Sequence, residues 1–139
     1  MVIDASVALK WFLPDEEFGG KAIHLLDRYM ANKIVFTGPS ILEYELVNGL
    51  IIARKRGRVP EETVINAIDG FVNLGIKLQN ISLLFQKVVN LCKVHNLSVY
   101  DASYLAVAVE KGAPLITADE RLFNSVKENL KWVKWLGNV

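Results

Sequence analysis

Short apolar runs alternate along this chain with longer stretches in which apolar residues recur every three or four positions. The first pattern suits strands buried on both faces, and the second suits amphipathic helices. Met1–Asp4 starts at once as a strand, and a helix over 5–13 follows, ended by Pro14. Ala22, Ile23, Leu26 and Met30 give one face to a second helix over 16–31, and Ile34–Phe36 predicts the second strand. Ser40 opens a long helix to Arg56, with Leu42, Leu46 and Leu50 on one stripe and Gly57 as its stop. Pro60 suits a first helical position, and the helix it begins runs to Leu74. Ile76–Leu78 predicts a third strand, followed by helices over 82–95 and 99–111; Gly112 and Pro114 end the second of these. Leu115–Thr117 is a fourth strand, 119–129 a last helix and Trp132–Leu136 a last strand.

Strands separated by helices need crossover connections, which makes the sheet parallel. Right-handed crossovers then place helices on both of its faces. The expected fold class is α/β, a three-layer α/β/α arrangement around a central parallel sheet of four to five strands. Residues 1–139 are expected to form one domain, since no repeat, linker or low-complexity tract interrupts them. Ala102, Ala106 and Ala108 allow close backbone approach, so their helix is expected at the centre.

Composition narrows the class. Hydrophobic residues make up 52% of the chain and charged residues 22%, which excludes a disordered polypeptide. No apolar run reaches the roughly 18 residues of a membrane span. Asp4 stands where a secretory leader would be apolar, so the expectation is a soluble, cytoplasmic protein without membrane contact. Cys92 is the only cysteine, which rules out an intrachain disulfide and reads as a small core residue. A zinc site would need Cys92, His24 and His95 to converge, and no short ligand spacing supports that. The formal charge of +1 carries no global signature of nucleic-acid binding, so any such contact must come from local patches.

The chemistry lies in acidic residues. Asp4 follows the apolar run Val2–Ile3, and Asp119 follows Leu115–Thr117 by two positions. Ligands of open parallel sheets bind beyond the carboxyl ends of the strands, so these two carboxylates share a crevice if their strands are neighbours. Glu45 and Asp101 lie in the first two turns of their helices among apolar or small residues. Four such groups repel one another unless a cation neutralises them, and all-oxygen ligation suits Mg²⁺ or Mn²⁺. A divalent ion in such a site serves phosphodiester hydrolysis. Ser6 and Thr117 could add hydroxyl contacts. Each residue also has a plainer reading. Asp4 and Asp119 fit helix N-caps, and Asp101 fits the third position of a capping box opened by Ser98. Glu43 fits such a box opened by Ser40 better, which leaves Glu45 as either a ligand or a solvated helix residue.

At these positions the sequence resembles the PIN-domain family, and within it the VapC-type toxins of toxin–antitoxin pairs. The resemblance rests on Val2-Ile3-Asp4-Ala5-Ser6-Val7 and on Pro39 to Leu50. It continues in Leu97 to Ala106 and in Leu115-Ile116-Thr117-Ala118-Asp119-Glu120-Arg121-Leu122. It implies strand order 3-2-1-4-5 and Mg²⁺- or Mn²⁺-dependent ribonuclease activity. It also implies metal-ligand roles for Asp4, Glu45, Asp101 and Asp119, with Ser6 at a small hydroxyl position near the metal. The family's glutamate precedes a hydrophobic pair and Asn, which selects Glu45 over Glu43. A homodimer neutralised by a small antitoxin is implied as well.

Arg54, Lys55, Arg56 and Arg58 form the densest basic run. They read either as a phosphate-binding rim beside the cleft or as a helix end whose cations suit the dipole. Trp11 and Phe12 could stack on a base, fill a partner groove or pack in the core, and Trp132 and Trp135 are expected to cover a sheet edge. Three other functions stand beside a toxin nuclease: a PIN-like metal- or RNA-binding module that does not cleave, an RNA-processing nuclease outside a toxin–antitoxin pair, and a receiver or aspartyl phosphatase. The last of these needs a second acid two residues after its nucleophile or a helper lysine. Position 6 is Ser, and no lysine ends the fourth strand.

Overall fold

The computed structural model describes residues 1–139. Val2 and Ile3, both fully buried, form the central strand β1. The backbone then turns at Asp4 into α1 (Ala5–Phe12), and α2 (Gly19–Met30) follows. β2 (Thr37–Pro39) leads through α3 (Ile41–Lys55) and α4 (Glu61–Asn73) to β3 (Lys77–Gln79). A 3-10 turn at Ile81–Leu84 enters α5 (Phe85–His95), and α6 (Val99–Lys111) returns to β4 (Leu115–Thr117). α7 (Glu120–Val126) and β5 (Val133–Trp135) complete the sheet. All strand pairs are parallel, in the order β3-β2-β1-β4-β5, as the sequence led one to expect.

The chain winds one way from β1 to β3 and the other way from β3 to β5. Right-handed crossovers therefore put α1–α4 on one face and α5–α7 on the other. α6 packs on β1, β2 and β4 with α5 outside it, and Ala102, Leu105, Ala106 and Val107 have no solvent exposure. The small side chains of α6 thus allow the close approach anticipated from its alanines. Cys92 is half-buried against the core.

Several boundaries moved. The second strand is Thr37–Pro39, not Ile34–Phe36. Apolar content marked the wrong three residues, because Val35 is exposed and pairing is set by backbone position. Val2 lies opposite Thr37, which sets the register of β2 on β1. Residues 16–18 precede the second helix instead of starting it, because Phe18 adopts a left-handed conformation. Gly19 then approaches the Pro14 carbonyl too closely for any side chain. The last helix stops at Val126.

Candidate active site

β1 and β4 are neighbours, with Ile3 opposite Ile116, so Asp4 and Asp119 emerge side by side. This is the point where the winding direction reverses, the usual ligand crevice of an open parallel sheet.

Asp4 is buried and stands at the N-cap position of α1, yet its side chain caps nothing. Its Oδ2 accepts hydrogen bonds from Ser6 Oγ at 2.8 Å and Thr117 Oγ1 at 2.7 Å. Each hydroxyl is oriented in turn by a backbone donor: Ala118 N donates to Ser6 Oγ and Asp119 N to Thr117 Oγ1, both at 3.0 Å. The two hydroxyls therefore fix one carboxylate rotamer across two strand ends. Burial pushes the Asp4 carboxyl up to about 6; the two hydroxyls oppose the shift, and the negative charges of Glu45 and Asp119 add to it.

Glu45 lies in the second turn of α3, facing α6. Tyr104 Oη donates to its Oε1 at 2.8 Å. Burial raises the Glu45 carboxyl above its ordinary range, Tyr104 opposes that, and Asp101 and Asp119 reinforce it. Burial, Asp4 and Glu45 together drive the Tyr104 hydroxyl far above its normal range, so it stays a donor.

Asp101 is buried in the first turn of α6, where its backbone N–H donates to Ser98 Oγ at 3.2 Å. The capping box is only half made, because the carboxylate does not reach back. Its Oδ2 accepts instead from Arg121 Nη2 at 2.8 Å. Asp119 does cap α7, accepting from Leu122 N at 3.2 Å on Oδ1, while its Oδ2 lies 3.6 Å from the same Arg121 nitrogen. The expected box at Ser40 and Glu43 does not form. Ser40 is already helical, and its N–H is bound to the Gln79 carbonyl, so it lacks the extended geometry of a cap. Glu43 faces an apolar hollow between α3 and α4, away from the acidic cleft.

The four acids thus feel one another's charge across a single cleft, although no three stand close enough to hold one ion in this arrangement. Arg121 already neutralises two of them. The donor set itself fits a hard divalent cation: it is all carboxylate, rigidly held at Asp4 and carries repulsion that an ion would relieve. Arg121 and Tyr104 were not anticipated. The only trace of Arg121 in the sequence is its position two residues after a strand-end aspartate, and Tyr104 reads as an ordinary core aromatic.

The basic run lies elsewhere. Arg54 is nine residues beyond Glu45, about 14 Å further along α3 at the helical rise. Arg54 pairs with Glu61, and Arg58 with Glu16 and Asp15, while Lys55 and Arg56 are unpaired. Trp11 is buried, donates its indole N–H to the Ala22 carbonyl at 3.0 Å and stacks on Phe36, so it belongs to the core. Trp135 covers the β5 edge against Phe18 and Phe123, in line with expectation.

The family model for the PIN domain matches residues 1–129. Ribonuclease VapC9 of Mycobacterium tuberculosis is 31% identical over 88% of this chain and 87% of its own. Ribonuclease VapC3 of Pyrobaculum aerophilum is 24% identical over 88% of this chain and 91% of its own. The crystal structure of PAE2754 from Pyrobaculum aerophilum superimposes with a TM-score of 0.71 at 21% identity, covering 99% of this chain and 90% of that one. No helix is long and apolar enough to cross a membrane.

Proposed function

The chain belongs to the PIN-domain family, and from that premise we propose that it is an endoribonuclease dependent on Mg²⁺ or Mn²⁺, the toxin of a toxin–antitoxin pair. Asp4, Glu45, Asp101 and Asp119 would hold the cation. What supports this reading is that Asp4, buried and held by two hydroxyls, feels the charge of Glu45 and Asp119, and that Glu45 in turn feels that of Asp101 and Asp119. Relatives named as ribonucleases across nearly the whole chain length support the same class.

A bound divalent ion supplies charge neutralisation at the phosphate and a nucleophile near neutral pH. The protein's own groups supply position. Ser6 and Thr117 keep Asp4 in one rotamer, and Tyr104 keeps Glu45 turned toward the cleft. Arg121 is exposed enough to swing from Asp101 to an RNA phosphate. A homodimer and a small antitoxin partner complete the proposal, with residues 1–139 acting as one PIN domain.

The test is cleavage of labelled single-stranded RNA by purified protein. Cleavage in Mn²⁺ that stops with EDTA and is lost in Asp4→Asn and Asp101→Asn is expected. Equal cleavage by the variants would identify a contaminating nuclease and overturn the assignment. Metal-dependent RNA binding without cleavage would make the chain a binding module. Light scattering of the purified protein tests the dimer, and a small DNA-binding protein encoded next door tests the toxin role.

A further inference from the structure

The basic run at the end of α3 is half neutralised by Glu61, Asp15 and Glu16, which leaves the question of what draws a polyanion to the cleft. A second basic surface lies on the outer edge of the sheet. Two hollows of about 290 and 690 Å³ adjoin there, sharing Lys131 and Lys134. The first is also lined by Lys127, Phe123 and Trp135, and the second by Trp132. No aspartate or glutamate side chain lines either hollow. The terminal residue Val139 also lines the first hollow, with its carboxylate oxygen bound by Lys21, and Glu128 lies 3.9 Å from Lys131 in a pair that is about three-quarters exposed on both sides, an interaction worth little in water. The Lys127 ammonium sits over the Phe123 ring at 5.9 Å from its centre.

The surface runs along α7 and β5 toward the cleft, past a third hollow between Phe18, Phe123 and Trp135 at which Glu17 and Glu120 also stand. Trp135 lies directly opposite Thr117 in the β4–β5 ladder, and Thr117 is the residue whose hydroxyl holds Asp4. Phe123 is on the first turn of the helix that Asp119 caps. Lys127 follows Asp119 by eight residues, about 12 Å along α7. Lysine on an edge strand also discourages pairing with another chain, but that purpose needs no aromatic lining and only Lys134 lies on the strand.

We infer that the α7–β5 edge, with Lys127, Lys131 and Lys134 around Phe123, Trp132 and Trp135, is the path that holds single-stranded RNA leading to the cleft. Cations that track a backbone beside aromatic faces on which unpaired bases stack are the general means of binding a single strand without sequence readout. A duplex, whose bases are already stacked, would gain nothing from the aromatic lining. The inference rests on the ribonuclease reading for the identity of the strand, but its test does not depend on cleavage.

The test is fluorescence anisotropy of a labelled single-stranded RNA decamer in EDTA, where no cutting occurs, with salt varied. The Lys127→Ala/Lys131→Ala/Lys134→Ala variant should bind more weakly. Its log–log salt slope should be shallower by about two, because each phosphate contact to a single strand contributes about 0.7. A variant matched in charge, Lys33→Ala/Lys77→Ala/Lys93→Ala, should bind like the natural chain, and quenching of tryptophan emission on binding should be reduced in Trp135→Phe and lost in Trp132→Phe/Trp135→Phe. Equal affinity and slope in the two triple variants would overturn the inference. So would displacement by polyglutamate as efficient as by unlabelled RNA, which would mark a site for acidic protein. Lysine-dependent binding without cleavage in Mn²⁺ would retire the nuclease reading and leave this path standing. Cleavage with no lysine dependence of binding would do the reverse.

Discussion

Arg121 Nη2 stands 2.8 Å from Asp101 Oδ2 and 3.6 Å from Asp119 Oδ2, so one guanidinium bridges the starts of α6 and α7. The two helices are joined through β4, yet their acids meet only because β4 lies beside β1 under α6. A two-thirds exposed cation thus neutralises charge that a divalent ion would otherwise neutralise.

Removal of that side chain should favour metal binding. An exposed ion pair is worth up to about 1 kcal/mol, so Arg121→Ala is expected to tighten Mn²⁺ binding by up to about fivefold. Calorimetric titration measures this directly. Weaker binding in the variant would show that Arg121 organises the acids and does not compete for them.

Asp4 makes stability depend on pH. Its carboxyl is raised from 3.8 to about 6 in the fold, so the protonated form is favoured by folding. Its contribution is fully present below about pH 4 and is lost as pH rises through about 6. In the absence of divalent ions, Asp4→Asn should therefore unfold at higher denaturant than the natural chain at pH 7. A shift of about two units corresponds to about 3 kcal/mol, and the gain should vanish below about pH 4. Urea titrations at several pH values give the comparison; a gain that persists unchanged in acid would contradict the burial argument.

Tyr104→Phe removes one oxygen and leaves the packing of a fully buried ring intact. Glu45 then loses its donor while staying half-buried, which should cost about 1–3 kcal/mol in stability. Loss of RNA cleavage greater than the loss of folded protein, with wild-type helical content by circular dichroism, would show that Tyr104 positions Glu45.

Gly19→Ala tests the turn that separates α1 from α2. A Cβ there would lie 2.2 Å from the Pro14 carbonyl oxygen, a backbone atom that cannot move aside cheaply. A destabilisation of about 1–3 kcal/mol is expected, whereas Gly20→Ala, with open space around it, should be nearly neutral. Thermal melts of the two variants side by side decide it.

Hydrophobic spacing along the chain determined the order of elements and the parallel sheet, because burial on both faces imposes a local signature that needs no knowledge of neighbours. It drew attention to Asp4 and Asp119 at strand ends and to Glu45 and Asp101 among apolar residues, but each alone fitted a cap or a solvated helix face, and only their conjunction and the resemblance to PIN domains, which favoured Glu45 over Glu43, made them a candidate site. Where a local rule competed with a tertiary contact, the sequence misled. Ser40 looked like a cap, but its N–H was already claimed by Gln79 from the neighbouring strand. Thr37–Pro39 paired in place of the more apolar Ile34–Phe36 because the ladder with β1 fixes backbone register, which composition does not encode. Arg121 and Tyr104 could not be chosen from the chain at all. Their partners Asp101 and Glu45 lie 20 and 59 residues away, and only the packing of α6 over the β1–β4 pair brings such distant groups within hydrogen-bond reach.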